Sequence, residues 1–145
     1  MNKHVWLLFL LIIPALAYSQ TLPDSVVIGK NKKASAVQYG VASYYHNKFE
    51  NRKTANGEVF SQQKMTAACN TLPLNSWVKV TNTKNKKSVI LRINDRMHPK
   101  NKRLIDLSLV AAKQLKYTSH GLTRVKVEYL GKKKPKPDEE VATTR

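Results

Sequence analysis

The chain has 145 residues, 26 Lys and Arg against 9 Asp and Glu, a formal charge of +17, and one cysteine. That length allows one compact core and no second domain, and a lone cysteine excludes an internal disulfide, so stability has to come from packing. The charge indicates a polyanionic partner or a solubilising surface.

At the N-terminus, Lys3 and His4 precede the apolar run VWLLFLLIIPALA, residues 5–17. A helix of that length reaches about 20 Å, short of the roughly 30 Å hydrocarbon core. The small residues Ala17 and Ser19 mark a cleavage site before Gln20. Residues 1–19 therefore read as a signal peptide, with export to the periplasm or the extracellular space. No cysteine stands there to carry a lipid anchor, and nothing later is apolar enough to span a bilayer. Outside the cytosol the available polyanions are wall polymers and phospholipid head groups, rather than nucleic acid. Export also puts Cys69 in an oxidising space, as a buried thiol, an intermolecular bridge or a functional group.

Residues 20–36 mix polar residues with lysines and read as a flexible linker. VQYGVASYY (37–45) alternates imperfectly and reads as a strand, with Gly40 marking a bulge or a close backbone approach. WVKVTN (77–82) alternates as a half-buried strand, TKNKKS is a polar turn, and SVILRIND (88–95) completes a hairpin. RLIDLS (103–108) is a short buried strand or turn. Ser108 then reads as the N-cap of a helix over LVAAKQL, residues 109–115. In LTRVKVEYL (122–130), Leu122, Val125, Val127 and Tyr129 fall mainly on one side, with Arg124, Lys126 and Glu128 opposite. The charged tail 132–145 reads as disordered. Residues 37–131 thus make one small β-rich domain with a short helix.

Ordered motifs run along that domain: GVASYY (40–45), TANGE (54–58), MTAACNTLP (65–73), VKVTN (78–82), RINDR (92–96), LIDLS (104–108) and GLTRVKVEYL (121–130). In their order and spacing the chain resembles the rare lipoprotein A family over residues 38–130. The resemblance implies a mainly β fold, a six-stranded double-psi β-barrel with one or two short helices. It also implies a peptidoglycan lytic transglycosylase that works on glycan strands as a monomer, with no cofactor, no metal and no nucleic acid. Expansins and barwin-like proteins share that barrel and bind or cut polysaccharides. The family site, carried over, comprises Glu58 of TANGE and Asp95 of NDR. Ser61 stands where the family has an Asp, and Cys69 where it has a His; NDRMHP replaces NDRGP. Ser61 and Cys69 favour a second reading, a non-catalytic, expansin-like module that binds wall glycan.

A lytic transglycosylase cuts between N-acetylmuramic acid and N-acetylglucosamine and closes a 1,6-anhydro ring on the muramyl unit. One carboxylic acid can serve both proton transfers, and no second carboxylate is needed to activate water. That acid has to be protonated near neutral pH, above the ~4 of a free carboxyl. Arg92 and Arg96 flank Asp95 in sequence, and either one, if close in space, favours its ionised form, whereas no charged residue follows Glu58 within the next four positions. Glu58 is therefore expected as the general acid, and Asp95 as charge stabiliser or hydrogen-bond acceptor. Thr54 and Asn56 are expected to meet substrate hydroxyl or N-acetyl groups, Tyr45 a sugar ring, and Arg96 a muramyl carboxylate. A nucleophilic Cys69 would need a base; His46, His98 and His120 are the candidates, and none is paired with it in sequence. These residues have no metal-ligand spacing either. The expectation for Cys69 is a partly buried packing thiol.

Overall fold

The computed structural model describes residues 36–136. The expected signal peptide, residues 20–35 of the expected linker and residues 137–145 of the tail lie outside them. The strands β1 (Val37–Tyr44), β2 (Thr66–Ala68), β3 (Trp77–Asn82), β4 (Ser88–Asp95), β5 (Ile105–Leu107) and β6 (Thr123–Gly131) close into a barrel in the order β1-β5-β2-β4-β3-β6. One short helix, α1 (Leu109–Gln114), joins β5 to β6, and a single 3-10 turn covers Asn47–Phe49. No helix among the described residues is long and apolar enough to cross a membrane.

Alternation builds the wall. β3 buries Val78, Val80 and Asn82 and leaves Trp77, Lys79 and Thr81 half-buried. β4 faces it with Val89 and Leu91 in an antiparallel hairpin, Val80 opposite Val89 and Val78 opposite Leu91. β6 buries Val125 and Val127 and closes the barrel by pairing antiparallel with both β1 and β3. The β1–β5 and β2–β4 pairs are parallel, so each joins segments far apart in sequence. Inside, Leu91, Ile93, Ile105, Leu107 and Leu115 are fully buried, each contributing about 2 kcal/mol of transfer free energy.

Three details differ from, or narrow, the expectations. Gly40 makes no bulge: it pairs with Val125 in unbroken register. It permits a close approach, because a Cβ there would stand 2.6 Å from Leu104 Cβ. Gly40→Ala is therefore expected to cost about 1–3 kcal/mol by overpacking, read as a lower urea midpoint at unchanged slope. Leu122 precedes β6 and is 53% exposed, so it does not belong to the buried side of that strand.

Ser108 occupies the N-cap, yet its hydroxyl makes no cap bond. Gln62 caps α1 instead: its Oε1 accepts from Leu109 N–H at 2.8 Å, and its carbonyl accepts from Val110 N–H at 3.1 Å. The buried Gln62 amide also donates to the Tyr45 carbonyl at 2.8 Å. Gln62→Ala should cost about 1–2 kcal/mol through the lost cap and the orphaned carbonyl, measured as a lower midpoint of thermal unfolding.

Candidate active site

The TANGE segment is a tight loop whose residue types follow from its geometry. Thr54 N–H donates to the Glu58 carbonyl at 2.8 Å, and Gly57 takes a φ of 89° that favours glycine. Asn56 Oδ1 accepts from Thr54 Oγ1 at 2.7 Å and from Glu58 N–H at 3.1 Å, fixing the turn from within. Two bonds dock the loop on the end of β4: Asn56 N–H to the Asn94 carbonyl at 3.1 Å, and Ala55 N–H to Asp95 Oδ1 at 2.8 Å.

Asp95 ends β4 at one mouth of the barrel. Its Oδ1 also accepts from Arg96 N–H at 2.8 Å, and its Oδ2 accepts from Tyr45 Oη–H at 2.7 Å. Among the described residues it makes no ion pair. Burial, followed by this hydrogen bond, pushes the Tyr45 phenol well above its ordinary value, so it stays a neutral donor. Tyr45 is held by Phe60, with centroids 4.4 Å apart, and by an edge contact from Phe49 at 5.7 Å. Two open grooves meet at Asp95 and Tyr45. One, of 480 Å³, adds His46, Arg96, His98 and Arg103; the other, of 230 Å³, adds Arg52, Lys53 and Phe60. His46 and His98 each accept a backbone N–H at Nδ1, from Lys48 and Lys100 respectively. In the neutral ring this leaves the proton on Nε2.

Glu58 has a different environment. Its carboxylate is bridged by both terminal guanidinium nitrogens of Arg92, Nη1 to Oε1 at 2.7 Å and Nη2 to Oε2 at 2.8 Å. Asn94 Nδ2 adds a third donor at 3.3 Å. The Arg92 hydrogen bonds, ahead of those from Asn94 and Asn56, lower its pKa to about 2. The sequence-based premise thus needs correction: Arg92 stands on Glu58, not on Asp95. The reason is strand alternation, since Arg92 and Asn94 share one face of β4 and Asp95, three residues after Arg92, takes the other. Arg96 also turns away from the Asp95 carboxylate, its guanidinium donating to the Cys69 carbonyl. Glu58 lines neither groove at Asp95.

The remaining expected positions separate in the same way. Thr54 is buried and Asn56 half-buried, both spent on the loop, and Asn56 Nδ2 donates to Asn75 Oδ1 at 2.8 Å. Cys69 is fully buried; its Sγ lies 3.3 Å from Thr71 Oγ1, and its N–H donates to the Asp95 carbonyl at 3.2 Å. No histidine bonds to that thiol among the described residues, and His120 lines a different cavity. Ser61 forms a local turn, accepting from Gln63 N–H and Lys64 N–H. No cluster of three His, Cys, Asp or Glu suited to a metal occurs among the described residues. Sequence reasoning missed Asn75, which at a φ of 62° accepts from both Asn56 and Arg92. Its isolated position in LPLNS gave no signal. Asn94 stood in the NDR motif and carried one.

Residues 37–127 match the family model described as lytic transglycolase. The chain is 50% identical over 100 residues to the endolytic peptidoglycan transglycosylase RlpA of Haemophilus influenzae, covering 69% of this chain and 35% of that protein. It is 55% identical over 89 residues to the protein of the same name from Pseudomonas aeruginosa, covering 61% and 26%. The match thus spans less than half the length of either relative. Among solved structures, the Streptomyces papain inhibitor superposes with a TM-score of 0.53 at 18% identity, over 65% of this chain and 94% of that one. The apo expansin of Clavibacter michiganensis gives 0.52 at 18% identity, over 70% and 52%. The closed barrel with its two parallel strand pairs is the double-psi β-barrel.

Proposed function

We propose that this chain, which belongs to the lytic transglycolase family, cuts peptidoglycan glycan strands between N-acetylmuramic acid and N-acetylglucosamine, and that Asp95 carries the proton transfers. The observation that supports the assignment is the setting of Asp95: it and its hydrogen-bond partner Tyr45 line both open grooves. Oδ1 is occupied by two backbone donors, so Oδ2 is the oxygen that exchanges a proton with substrate, and the Tyr45 hydroxyl turns from donor to acceptor when the carboxyl is protonated. The carboxyl gives its proton to the leaving glycosidic oxygen as the C1–O bond breaks. The resulting carboxylate takes the proton of the C6 hydroxyl as that oxygen bonds to C1, and the acid is restored. His46 and His98 offer Nε2–H donors along the larger groove. Glu58, held ionised by Arg92, acts as a positioning residue: with Asn94 and Asn56 it fixes the loop that sets Ala55 N–H on Asp95.

In this reading residues 1–19 direct export, and the protein acts as a monomer on wall glycan in the periplasm or outside the cell, without a cofactor or nucleic acid. Cys69 favours the second reading, a glycan-binding module with little turnover, because a fully buried thiol offers the groove no polar group. Incubation of the mature protein with purified sacculi and with glycan stripped of peptide stems distinguishes the two. The enzyme releases 1,6-anhydromuramyl products, seen by mass spectrometry; a binding module sediments with the glycan and releases none.

A further inference from the structure

A further cavity of the barrel lies away from Asp95. It measures 600 Å³ and lies at the far end of β4, where the turn after β3, the C-terminal end of α1 and the first residues of β6 converge. β4 alone separates the two ends by about 20 Å, and the cavity shares no lining residue with the grooves at Asp95. Lys84, Lys116, His120 and Arg124 line it, and no Asp or Glu does. Lys84, Lys116 and Arg124 are exposed and form no ion pair among the described residues. Lys116 holds a φ of 53° just past α1, where glycine would sit without the roughly 1 kcal/mol penalty of a left-handed side chain. The walls are braced from below. Buried Asn82 ties together the Leu115 carbonyl, Lys84 N–H and Thr123 Oγ1, and Thr83 bonds the Arg124 carbonyl through both N–H and Oγ1.

Thr83 and Arg124 also line an adjoining groove of 170 Å³ that runs to Tyr39. Tyr39 is 72% exposed and stacks on no other ring among the described residues. An amphipathic ring left open beside unpaired cations suits a sugar ring that carries a negative charge. The acid nearest in register, Glu128, is tied to Lys126 at 3.0 Å and leaves the groove cationic. A single-stranded nucleic acid uses a series of aromatic platforms for successive bases, and of the two tyrosines that line this site Tyr117 is buried and Tyr39 alone is exposed.

We infer that this braced cationic groove is a second polysaccharide site, taking a glycan segment that bears carboxylate or phosphate groups. It is independent of turnover at Asp95. The test uses the mature protein and four labelled probes, read by fluorescence anisotropy: oligogalacturonate, a phosphomannan oligosaccharide, a neutral N-acetylglucosamine oligomer and oligothymidylate. Combined Lys84→Ala, Lys116→Ala and Arg124→Ala should weaken binding of the anionic polymers by about tenfold or more, as expected from three partly screened contacts. An equally charged control away from the cavity, Lys64→Ala with Lys79→Ala and Lys133→Ala, should change it less than about threefold. Tyr39→Ala should weaken oligogalacturonate by roughly fivefold, as loss of a stacking platform does. Whichever anionic polymer binds tighter identifies carboxylate or phosphate as the group recognised. Equal losses in the two triple variants, equally tight binding of the neutral oligomer, or tighter Tyr39-dependent binding of oligothymidylate would each overturn the proposal. Amide shift mapping on the unaltered protein gives a readout free of variant folding. Shifts at Thr83, Lys84, Lys116 and Arg124 support the site, and shifts confined to the surroundings of Asp95 refute it.

Discussion

Asp95→Asn is expected to lower release of anhydromuramyl products by about 100- to 10,000-fold, the usual worth of a general acid–base group, while the barrel stays folded. The amide oxygen can still accept from Ala55 N–H and Arg96 N–H, as Oδ1 does now. The amide nitrogen would face Tyr45 Oη, which can accept in place of donating. Only the exchangeable carboxyl proton is lost. Product analysis paired with urea unfolding checks both halves. Turnover within tenfold of the parent would remove Asp95 from the proton-transfer role, and a collapsed unfolding midpoint would assign it to structure.

Glu58→Gln should behave differently. Its carboxylate touches Arg92 and Asn94 rather than the grooves, so the loss reaches the chemistry through the position of the loop. A displacement of that kind costs up to about 100-fold in rate, less than removal of the acid. Its stability effect carries a pH signature. The folded-state pKa lies at about 2, below the ordinary 4.5, so the ion pair stabilises the fold fully above the ordinary value. That contribution fades as pH falls through about 2. The parent should therefore be more stable than Glu58→Gln at neutral pH, and the gap should close between about pH 4.5 and pH 2. Solvent screening of this half-exposed pair keeps the gap near 1 kcal/mol or below. Urea midpoints of both proteins at pH 7, 4 and 2.5 measure it; a gap that widens on acidification would contradict the Arg92 pairing.

Local periodicity made the antiparallel part of the barrel legible. β3 and β4 alternate cleanly, and the polar residues between them mark the turn, so their pairing follows from sequence. β2 gave no such signal: its three residues are all buried, between β4 and β5, and a strand covered on both faces loses alternation. The helix was legible from its spacing, but its cap was not, because Gln62 reaches α1 from 47 residues away. The site divides along the same line. TANGE and NDR stand out as motifs, and the turn chemistry of Asn56 and Gly57 is visible in their types. Which arginine meets which carboxylate depends on which face of β4 each occupies and on a contact across 34 positions. Proximity in sequence pointed Arg92 at Asp95; alternation sends it to Glu58.

Digestion of stem-free glycan in water enriched in ¹⁸O tests the central claim most directly. Intramolecular attack by the C6 hydroxyl predicts anhydromuramyl ends that carry no ¹⁸O in the parent, and loss of those ends in Asp95→Asn. New reducing ends that carry ¹⁸O, or glycan left uncut with the protein bound to it, would contradict it.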